Sequence, residues 1–379
     1  MKCYRATTIN LFPCVGESKA ALALSVVFVL IAICMPVAGW GQTQWGQNII
    51  TFDPAGSVGT LPTCVNDRRM VVGQALTTGG SYNVFIRNPD GNYITFPLPG
   101  SGSSSGFGLN VVGAVAGTYQ VQEVNHGLLR ATDGTLTEID VTGAGTGNNQ
   151  GTSANNINAF GVIAGYYSDA NSVTHGFVRR PDGKIETFDA PDQSPDPYRG
   201  VLMNACGSLN DKGEVTGYYL GADSVYHSFL RTHDGQISSF DVPGSQGTYA
   251  AAINLFGVIT GFYNASSSQV LHGFLRLRDG SFITFDAPGA GTLGVSGTSP
   301  AAVNAEGVVT GYYLDPNYVY HGFVRWRDGK FTSFEAPGAG DATLQGTLPY
   351  SINSWGQITG SYINTVEEEL VYHGFIRYP

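Results

Sequence analysis

The sequence predicts an all-β fold, a seven-bladed β-propeller with four antiparallel strands per blade. Three observations predict it. One unit recurs seven times at intervals of 44 to 52 residues, each copy offers four short strand candidates, and the chain ends supply complementary parts of one copy. The predicted propeller covers residues 48–379, after a leader (1–39) and a short linker (40–47).

The repeat unit reads roughly I-N-x-x-G-x-I-T-G-Y-Y, then a spacer, then H-G-F-x-R-x-x-D-G-x-x-x-x-F-D-A-P-G. A period of about 40–50 residues is typical of repeat architectures. An asparagine marks the first half of each repeat and an arginine marks the second. Repeats 1 to 7 contain, in order, Asn66, Asn110, Asn158, Asn210, Asn254, Asn304 and Asn353, and Arg87, Arg130, Arg179, Arg231, Arg276, Arg325 and Arg377.

Each repeat contains four candidate strands, rich in Val, Ile, Phe, Tyr and Thr and separated by Gly-bearing turns. In repeat 6 they are PAAVN, GVVTGYYL, YHGFVRW and KFTSFEA, which we name strands a to d. No segment of the repeats has the length or the periodicity of a helix. Immunoglobulin-like arrays need about twice this period. A β-solenoid, which usually repeats in shorter coils, is a distant alternative.

The two ends of the repeat region indicate a closed ring. The chain stops at YHGFIRYP, directly after a strand c, and residues 48–53 (NIITFD) form a strand d that has no strand c before it. Joining them completes the seventh blade and removes two exposed sheet edges. A linear array has no reason to end in complementary parts, so we expect the ring to be closed.

The turn between strands c and d fixes how they pair. In repeat 5 a three-residue turn joins Leu277 to Ser281, with Gly in the left-handed position. Counting outward places His272 opposite Asp286. The same count predicts six histidine–carboxylate pairs: His126–Asp140, His175–Asp189, His227–Asp241, His272–Asp286, His321–Glu335 and, with the ring closed, His373–Asp53.

A histidine facing a carboxylate could orient a general base. The pair recurs in six repeats, whereas catalysis normally needs one constellation. We therefore interpret the pairs as structural links between strands c and d, and we predict no catalytic residue. A carboxylate partner is also expected to raise the histidine pKa.

Two further columns of side chains recur. We expect each arginine to pack on the adjacent blade and bond local carbonyls or acids, with an anion-binding ring as the alternative. The second tyrosine of strand b is expected to pack between blades, with sugar stacking as the alternative. These tyrosines are Tyr119, Tyr167, Tyr219, Tyr263, Tyr313 and Tyr362.

The H-G-F and H-S-F stretches and the I-N-x-x-G-x-x-x-G-Y stretches resemble those of the "probable extracellular repeat, HAF family" of bacterial proteins. The resemblance extends across residues 48–379. It implies an exported bacterial repeat protein, and the family name conveys no established activity. Repeat 1 departs most, because Asn83-Val84-Phe85 replaces His-Gly-Phe and Arg69 replaces the first Gly.

The N-terminus predicts export. Residues 20–35 are uncharged and mostly apolar, Lys19 precedes them, and Val37-Ala38-Gly39 supplies small residues for cleavage. We interpret residues 1–39 as a secretory signal, with a membrane anchor formed by residues 20–35 as the alternative. The protein is expected to be secreted or extracellular, and to touch a membrane only if this segment is retained.

Charge, cysteines and motifs exclude several functions. The net charge is −10 and no stretch concentrates Lys and Arg, so we expect no nucleic-acid partner. Only Cys64 and Cys206 lie beyond the leader, and they fall in different repeats, so we expect no disulfide. No calcium-loop, zinc-protease or phosphate-loop motif is present, which predicts neither a metal nor a cofactor.

Function is expected where the blades differ. In an up-and-down blade the a–b and c–d turns share one rim, the tight rim, and the b–c and d–a loops share the other, the variable rim. Two variable-rim loops are longest: APDQSPDPYRGVLMNACGSL, with Tyr198 and Arg199, and SYINTVEEELVYH, with Glu367, Glu368 and Glu369. Because consecutive strand residues point to alternate sides, the glutamates do not predict a metal site. We favour this rim and the channel mouth for binding, with tolerated solvated loops as the alternative.

The tight rim offers a rival surface. Phe160, Phe256 and Trp355 precede the first Gly of the a–b turn in repeats 3, 5 and 7. An exposed patch of three aromatics would suit a sugar or a protein. We expect these side chains instead to fold onto neighbouring turns.

Together these features predict an exported, non-catalytic binding or cell-surface interaction module, with an extracellular glycan or a surface protein as partner. The alternatives are an extracellular polysaccharide-active enzyme, a hydrolase or lyase, and a purely structural surface protein. An enzyme should show one blade that breaks the repeat with clustered acids or histidines on the variable rim.

Overall fold

The regular structure of the described residues consists of strands. The computed structural model describes residues 48–96, 98, 103–197, 199–265 and 269–379. The predicted leader, the linker and Tyr198 lie outside the described residues. Within those ranges no helix has the length and apolarity needed to cross a membrane.

The strands follow one another as antiparallel groups of four, one group per repeat. β1 (Ile49–Phe52) comes before repeat 1. Repeats 1 to 3 contain β2 (Ser57–Val65), β3 (Val71–Thr77), β4 (Tyr82–Arg87), β5 (Tyr93–Thr95), β6 (Ser104–Leu109), β7 (Val115–Val121), β8 (Val124–Arg130), β9 (Leu136–Ile139), β10 (Gly151–Ile157), β11 (Ile163–Ser168), β12 (Thr174–Arg179) and β13 (Ile185–Phe188). Repeats 4 to 7 contain β14 (Val201–Leu202), β15 (Val215–Leu220), β16 (Tyr226–Arg231), β17 (Ile237–Phe240), β18 (Ser245–Ile253), β19 (Ile259–Ala265), β20 (Leu271–Arg276), β21 (Phe282–Phe285), β22 (Gly297–Val303), β23 (Val309–Leu314), β24 (Tyr320–Arg325), β25 (Phe331–Phe334), β26 (Gly346–Ile352), β27 (Ile358–Val366) and β28 (Glu369–Arg377).

The first strand of the structure completes the sheet of the last repeat. β1 runs antiparallel to β28, with Ile49 opposite Arg377 and Phe52 opposite Gly374. The amide of Tyr378 also donates to the carbonyl of Asn48 (2.9 Å). The predicted pairing of the two chain ends is therefore present, and repeat 7 has the same four strands as the others.

The repeat asparagines connect each repeat to the next. The side-chain Nδ2 of each one donates to the backbone carbonyl of the asparagine in the following repeat, at 2.8 to 3.3 Å. Asn353 of repeat 7 donates in turn to the carbonyl of Asn66 in repeat 1 (2.9 Å). This series of hydrogen bonds therefore returns to its starting point.

The same asparagines shape the a–b turns. The Oδ1 of Asn353 accepts the amides of Trp355 (3.0 Å) and Gln357 (2.9 Å). Such local bonds from an asparagine side chain favour a turn over a continued strand. The turn then needs a left-handed residue, which is Gly356 in repeat 7 (φ 77°) and Arg69 in repeat 1 (φ 65°). Repeat 1 thus keeps the turn with an arginine in a conformation that favours glycine.

The core lies between neighbouring sheets. One phenylalanine of strand c is fully buried in six repeats, and burial of a side chain of this size stabilises by roughly 1.5–3 kcal/mol. In one cluster Phe334 of repeat 6 packs with Ile358 and Phe375 of repeat 7. Each repeat therefore buries its faces against the next one along the chain.

The expectation that the two cysteines stay apart is wrong. Cys64 of β2 in repeat 1 and Cys206, between β14 and β15 of repeat 4, form a disulfide with a Cα–Cα separation of 5.6 Å. Their repeats are not neighbours in sequence, but Cys206 lies in a segment that leaves the usual course of strand a. A covalent bond therefore reinforces the core.

The sequence predicts that the long stretch between strand d of repeat 3 and Asn210 lies on the variable rim, but part of this stretch lies elsewhere. Strand a of this repeat is reduced to β14, and residues 203–208 reach the first strands of other repeats. The side-chain Nδ2 of Asn156 donates to the Asn204 carbonyl (3.0 Å), and the Gly207 carbonyl accepts the backbone amide of Ile253 (2.8 Å). We call residues 203–208 the crossing segment.

Candidate binding surface

The tight rim displays three aromatic side chains to solvent. Phe160, Phe256 and Trp355 are exposed by 70 %, 58 % and 69 %. Each follows its repeat asparagine by two positions, and its own amide donates to that asparagine's Oδ1 (2.9–3.0 Å). The expectation that these side chains fold onto neighbouring turns is wrong. They form, with the turns that hold them, what we call the aromatic rim.

The tight rim has a fourth exposed aromatic side chain that the sequence analysis did not identify. Trp326, in the c–d turn of repeat 6, is 39 % exposed. Its indole Nε1 donates to the Thr332 hydroxyl (3.1 Å). The sequence signal was available, because Trp326 directly follows the repeat arginine, where the other repeats have no tryptophan.

Trp326 and Trp355 line one concavity. It lies between repeats 6 and 7 and encloses about 140 Å³, with Glu306 and Val308 also lining it. It opens onto a shallow area beside Arg327 and Lys330. We call this concavity the tryptophan groove. It combines aromatic faces with both signs of charge.

Among the described residues, the variable-rim candidates Arg199, Glu367, Glu368 and Glu369 do not form a comparable site. Arg199 has a side chain that is only 15 % exposed, and it makes an ion pair with Asp196 (3.7 Å). Its carbonyl accepts the amide of Thr174 (3.2 Å), so its backbone holds two repeats together. Arg199 is therefore tied into local structure.

The three glutamates occupy the hairpin between β27 and β28. Val366 pairs with Glu369, and Glu367 and Glu368 form the turn with φ values of 50° and 69°. All three glutamates are exposed. They belong to a different connection from Arg199, and the structure gives no contact that joins the two sets.

All six predicted histidine–carboxylate pairs are present. In each, the histidine Nδ1 lies 2.6 to 3.0 Å from a carboxylate oxygen of strand d or its end. The centroid of each histidine ring also lies 4.9 to 5.5 Å from that of the second tyrosine of strand b, with the rings stacked in four repeats and tilted by 34° to 36° in repeats 4 and 5. The tyrosine column therefore contacts histidines of its own repeat, and its members are not free to stack on a sugar.

Three histidines have a second acid that sequence reasoning missed. Asp169, Asp223 and Asp315, from the b–c turns, lie 3.2 to 3.7 Å from Nε2 of His175, His227 and His321. The hydrogen bond to Asp189 raises the pKa of His175. Burial lowers the pKa of His227 and His321, but hydrogen bonds and charges of their acids outweigh it, so both pKa values are raised.

Repeat 2 departs from this column. Glu138 stands where the other repeats have Ser or Thr, and it accepts a hydrogen bond from Tyr119. Ligand atoms of His126, Glu138 and Asp140 lie within 4.8 Å of one another. Among the described residues this is the group whose donors suit a divalent transition metal. The prediction of no metal stays a prediction.

The arginine column is structural, as predicted. In six repeats the guanidinium lies 4.7 to 5.3 Å from the centroid of a phenylalanine in the preceding repeat. Arg276, for example, lies over Phe240 at 4.7 Å. Burial lowers the pKa of Arg276, Arg325 and Arg377. The alternative of an anion-binding ring has no support, because these guanidinium groups face rings of neighbouring repeats.

No family model and no curated protein matches the chain. Solved structures do. The β-propeller domain of the Trilobed protease from Pyrococcus furiosus, described as having an open velcro topology, aligns with a TM-score of 0.55 and 9 % identity over 85 % of this chain and 94 % of that one. Oligogalacturonate lyase from Vibrio parahaemolyticus aligns with a TM-score of 0.54 and 10 % identity over 88 % and 96 %.

A prolyl endopeptidase also aligns, with a TM-score of 0.54 and 12 % identity over 86 % of this chain. The alignment covers 51 % of that chain, so the present protein spans about half its length. Identities this low show the fold alone. The chain has an all-β, β-propeller fold.

Proposed function

We propose that the chain is an exported, non-catalytic binding module, built as a closed propeller of seven blades whose last blade is completed by β1. The pairing of β1 with β28 supports the closure, as does the bond from Asn353 to Asn66. First strands of neighbouring repeats also contact one another, including β26 with β2. A ring of this kind leaves only short strand edges at the outside of the blades.

The aromatic rim carries the proposal of binding. Phe160, Phe256 and Trp355 expose most of their surface to solvent at equivalent positions of three repeats. Three large aromatic side chains exposed at one equivalent turn position, on the same rim, give a partner repeated apolar faces to cover. The partner is an extracellular glycan or a surface protein, since aromatic faces suit both.

Three features support the proposal of export. The apolar stretch at residues 20–35 has the composition of a secretory signal, and the repeat pattern resembles that of exported HAF-family proteins. The disulfide between Cys64 and Cys206 adds to this, because such bonds persist in oxidising compartments and are rare in the cytosol.

The test is thermal unfolding of the exported chain against cell-envelope and plant polysaccharides and against surface-protein extracts. A ligand at about 100 times its Kd stabilises a protein by about 2.7 kcal/mol, so its midpoint should rise by a few degrees. The variant Phe160→Ala/Phe256→Ala/Trp355→Ala should lose this rise. Lys212→Ala, at the equivalent turn position of repeat 4, is the matched control and should keep it.

A glycan-active enzyme is the second candidate, and repeat 2 is the observation that favours it. His126, Glu138 and Asp140 form one cluster that breaks the repeat at the variable-rim end of the sheet. Product release from any bound polysaccharide, lost in Glu138→Thr but kept in the aromatic-rim variant, would establish it. Binding of a polysaccharide without product release would favour the non-catalytic binding module over the enzyme.

A further inference from the structure

We propose that the tryptophan groove binds a neutral oligosaccharide of glucose-type pyranose rings. The proposal rests on the proposed binding function and gives it a ligand class and a subsite. Three features between repeats 6 and 7 support it: two indoles, a carboxylate that has no partner among the described residues, and a concavity of limited size.

One wall of the groove is a fixed indole. The amide of Trp326 donates to the Lys330 carbonyl (2.8 Å), and its Nε1 donates to the Thr332 hydroxyl (3.1 Å). Both donors of the residue are therefore used within the hairpin. Its ring is held in place before any ligand arrives, which reduces the entropy lost on binding.

The other wall is Trp355, in the a–b turn of repeat 7. The Asn353 side chain accepts its amide (3.0 Å), and the neighbouring Ser354 hydroxyl donates to Asp67 of repeat 1 (3.0 Å). The turn is thus bonded on both sides, while the indole stays 69 % exposed. The ring presents a large free face.

The polar groups select the ligand. Glu306 is exposed, and within the described ranges its carboxylate makes no hydrogen bond or ion pair, as is also true of Arg327. Lys330 and Asp328 pair with each other (3.0 Å). The exposed acids and bases around the groove therefore balance, two of each, and the fifth charged group of the lining, Arg377, is buried over the ring of Phe334. This balance favours a neutral ligand with hydroxyl groups over an anion or a cation.

Glucose-type rings offer both the apolar faces that the indoles need and the neutral hydroxyl groups that the charged side chains favour. Their hydroxyls are equatorial and their axial C–H bonds leave two apolar faces, which suit an indole surface. Their hydroxyls lie in the ring plane, where a carboxylate can accept from them and a guanidinium can donate to them. The enclosed volume of about 140 Å³ is below that of drug-sized pockets. It fits one ring of a chain that continues across the shallow area.

The groove contains useful reporters. The chain has four tryptophans, and Trp40 and Trp45 precede the repeats, so Trp326 and Trp355 are the only ones within them. In a full chain that carries Trp40→Phe and Trp45→Phe, tryptophan emission therefore comes from the groove alone. Cellohexaose and chitohexaose are the probes, with oligogalacturonate as the anionic comparison.

We expect cellohexaose or chitohexaose to change the emission with a saturable dependence, and oligogalacturonate to bind at least tenfold more weakly. By calorimetry, Trp355→Ala and Trp326→Ala should each weaken binding at least tenfold, and Glu306→Gln several-fold. Lys212→Ala occupies the equivalent turn position in repeat 4, outside the groove, and is the matched control, which should bind as the parent does. An unchanged Kd in both tryptophan variants, or no saturable change with either neutral probe, would overturn the proposal.

Failure here is distinguishable from failure of the proposed function. If a ligand of the thermal screen is lost in Phe160→Ala or Phe256→Ala but kept in the tryptophan variants, the groove proposal falls and the binding module stands. If the rim variants lose no ligand, the proposed function falls as well. A saturable emission shift with phosphatidylcholine vesicles, without one for either sugar, would replace the glycan by a lipid surface.

Discussion

Replacing both cysteines of the disulfide tests how far the crossing segment contributes to stability. Cys64 and Cys206 are separated by 142 residues, and the chain-entropy model assigns about 5 kcal/mol to a crosslink of that length. The double variant Cys64→Ala/Cys206→Ala should therefore unfold at a clearly lower urea concentration. Its m-value should rise, because its unfolded chain can expand further.

The assay is urea unfolding at constant pH, with and without a reductant. Reductant should lower the midpoint of the parent protein to near that of the double variant, and should leave the double variant unchanged. Peptide mapping of the oxidised chain should recover the Cys64 and Cys206 peptides as one crosslinked species. Recovery of both cysteines as free thiols, together with a urea midpoint of the parent that reductant does not change, would refute the reasoning.

Three further predictions concern the repeated side chains. The raised pKa values of His175, His227 and His321 imply stability that is fully present below the unfolded pKa of about 6.5 and is lost as pH rises through the folded pKa. Urea midpoints measured from pH 5.5 to 8.5 should therefore fall more steeply in the parent than in a variant with glutamine at these positions; parallel profiles would contradict this. Arg276→Lys should cost about 0.5–2 kcal/mol in the free energy of unfolding, because an ammonium replaces a half-buried guanidinium that lies over the ring of Phe240. If chemical denaturation gives Arg276→Lys the same free energy of unfolding as the parent, the contact between Arg276 and Phe240 does not stabilise the fold. Asn353→Ala should cost at least about 2 kcal/mol, since it leaves buried turn amides and a carbonyl unpaired; calorimetry showing a smaller loss would argue against the asparagine series as a stabilising element.

The strands and the histidine pairs could be predicted because they depend on local spacing. A hairpin turn of known type fixes the register on both sides of it, so counting from Gly280 placed His272 opposite Asp286. The pairing of β1 with β28 followed from complementary ends. These inferences needed only neighbours along the chain or within one repeat.

The disulfide could not be predicted, because sequence spacing says nothing about which distant repeats approach each other at the centre. Cys64 and Cys206 meet only because the crossing segment leaves strand a, and the longer spacing before Asn210 gave no sign of where the extra residues lie. The exposure of Phe256 was also beyond the sequence. An aromatic in a turn can fold back or point outward, and the neighbouring repeat decides which.

The central claim is that the tight rim binds the partner. Hydrogen–deuterium exchange of the exported chain, with and without a ligand identified in the thermal screen, tests it most directly. The account predicts slower exchange in the a–b turns at residues 254–257 and 353–356. Protection confined to the variable rim, at residues 190–197 and 364–371, would contradict it.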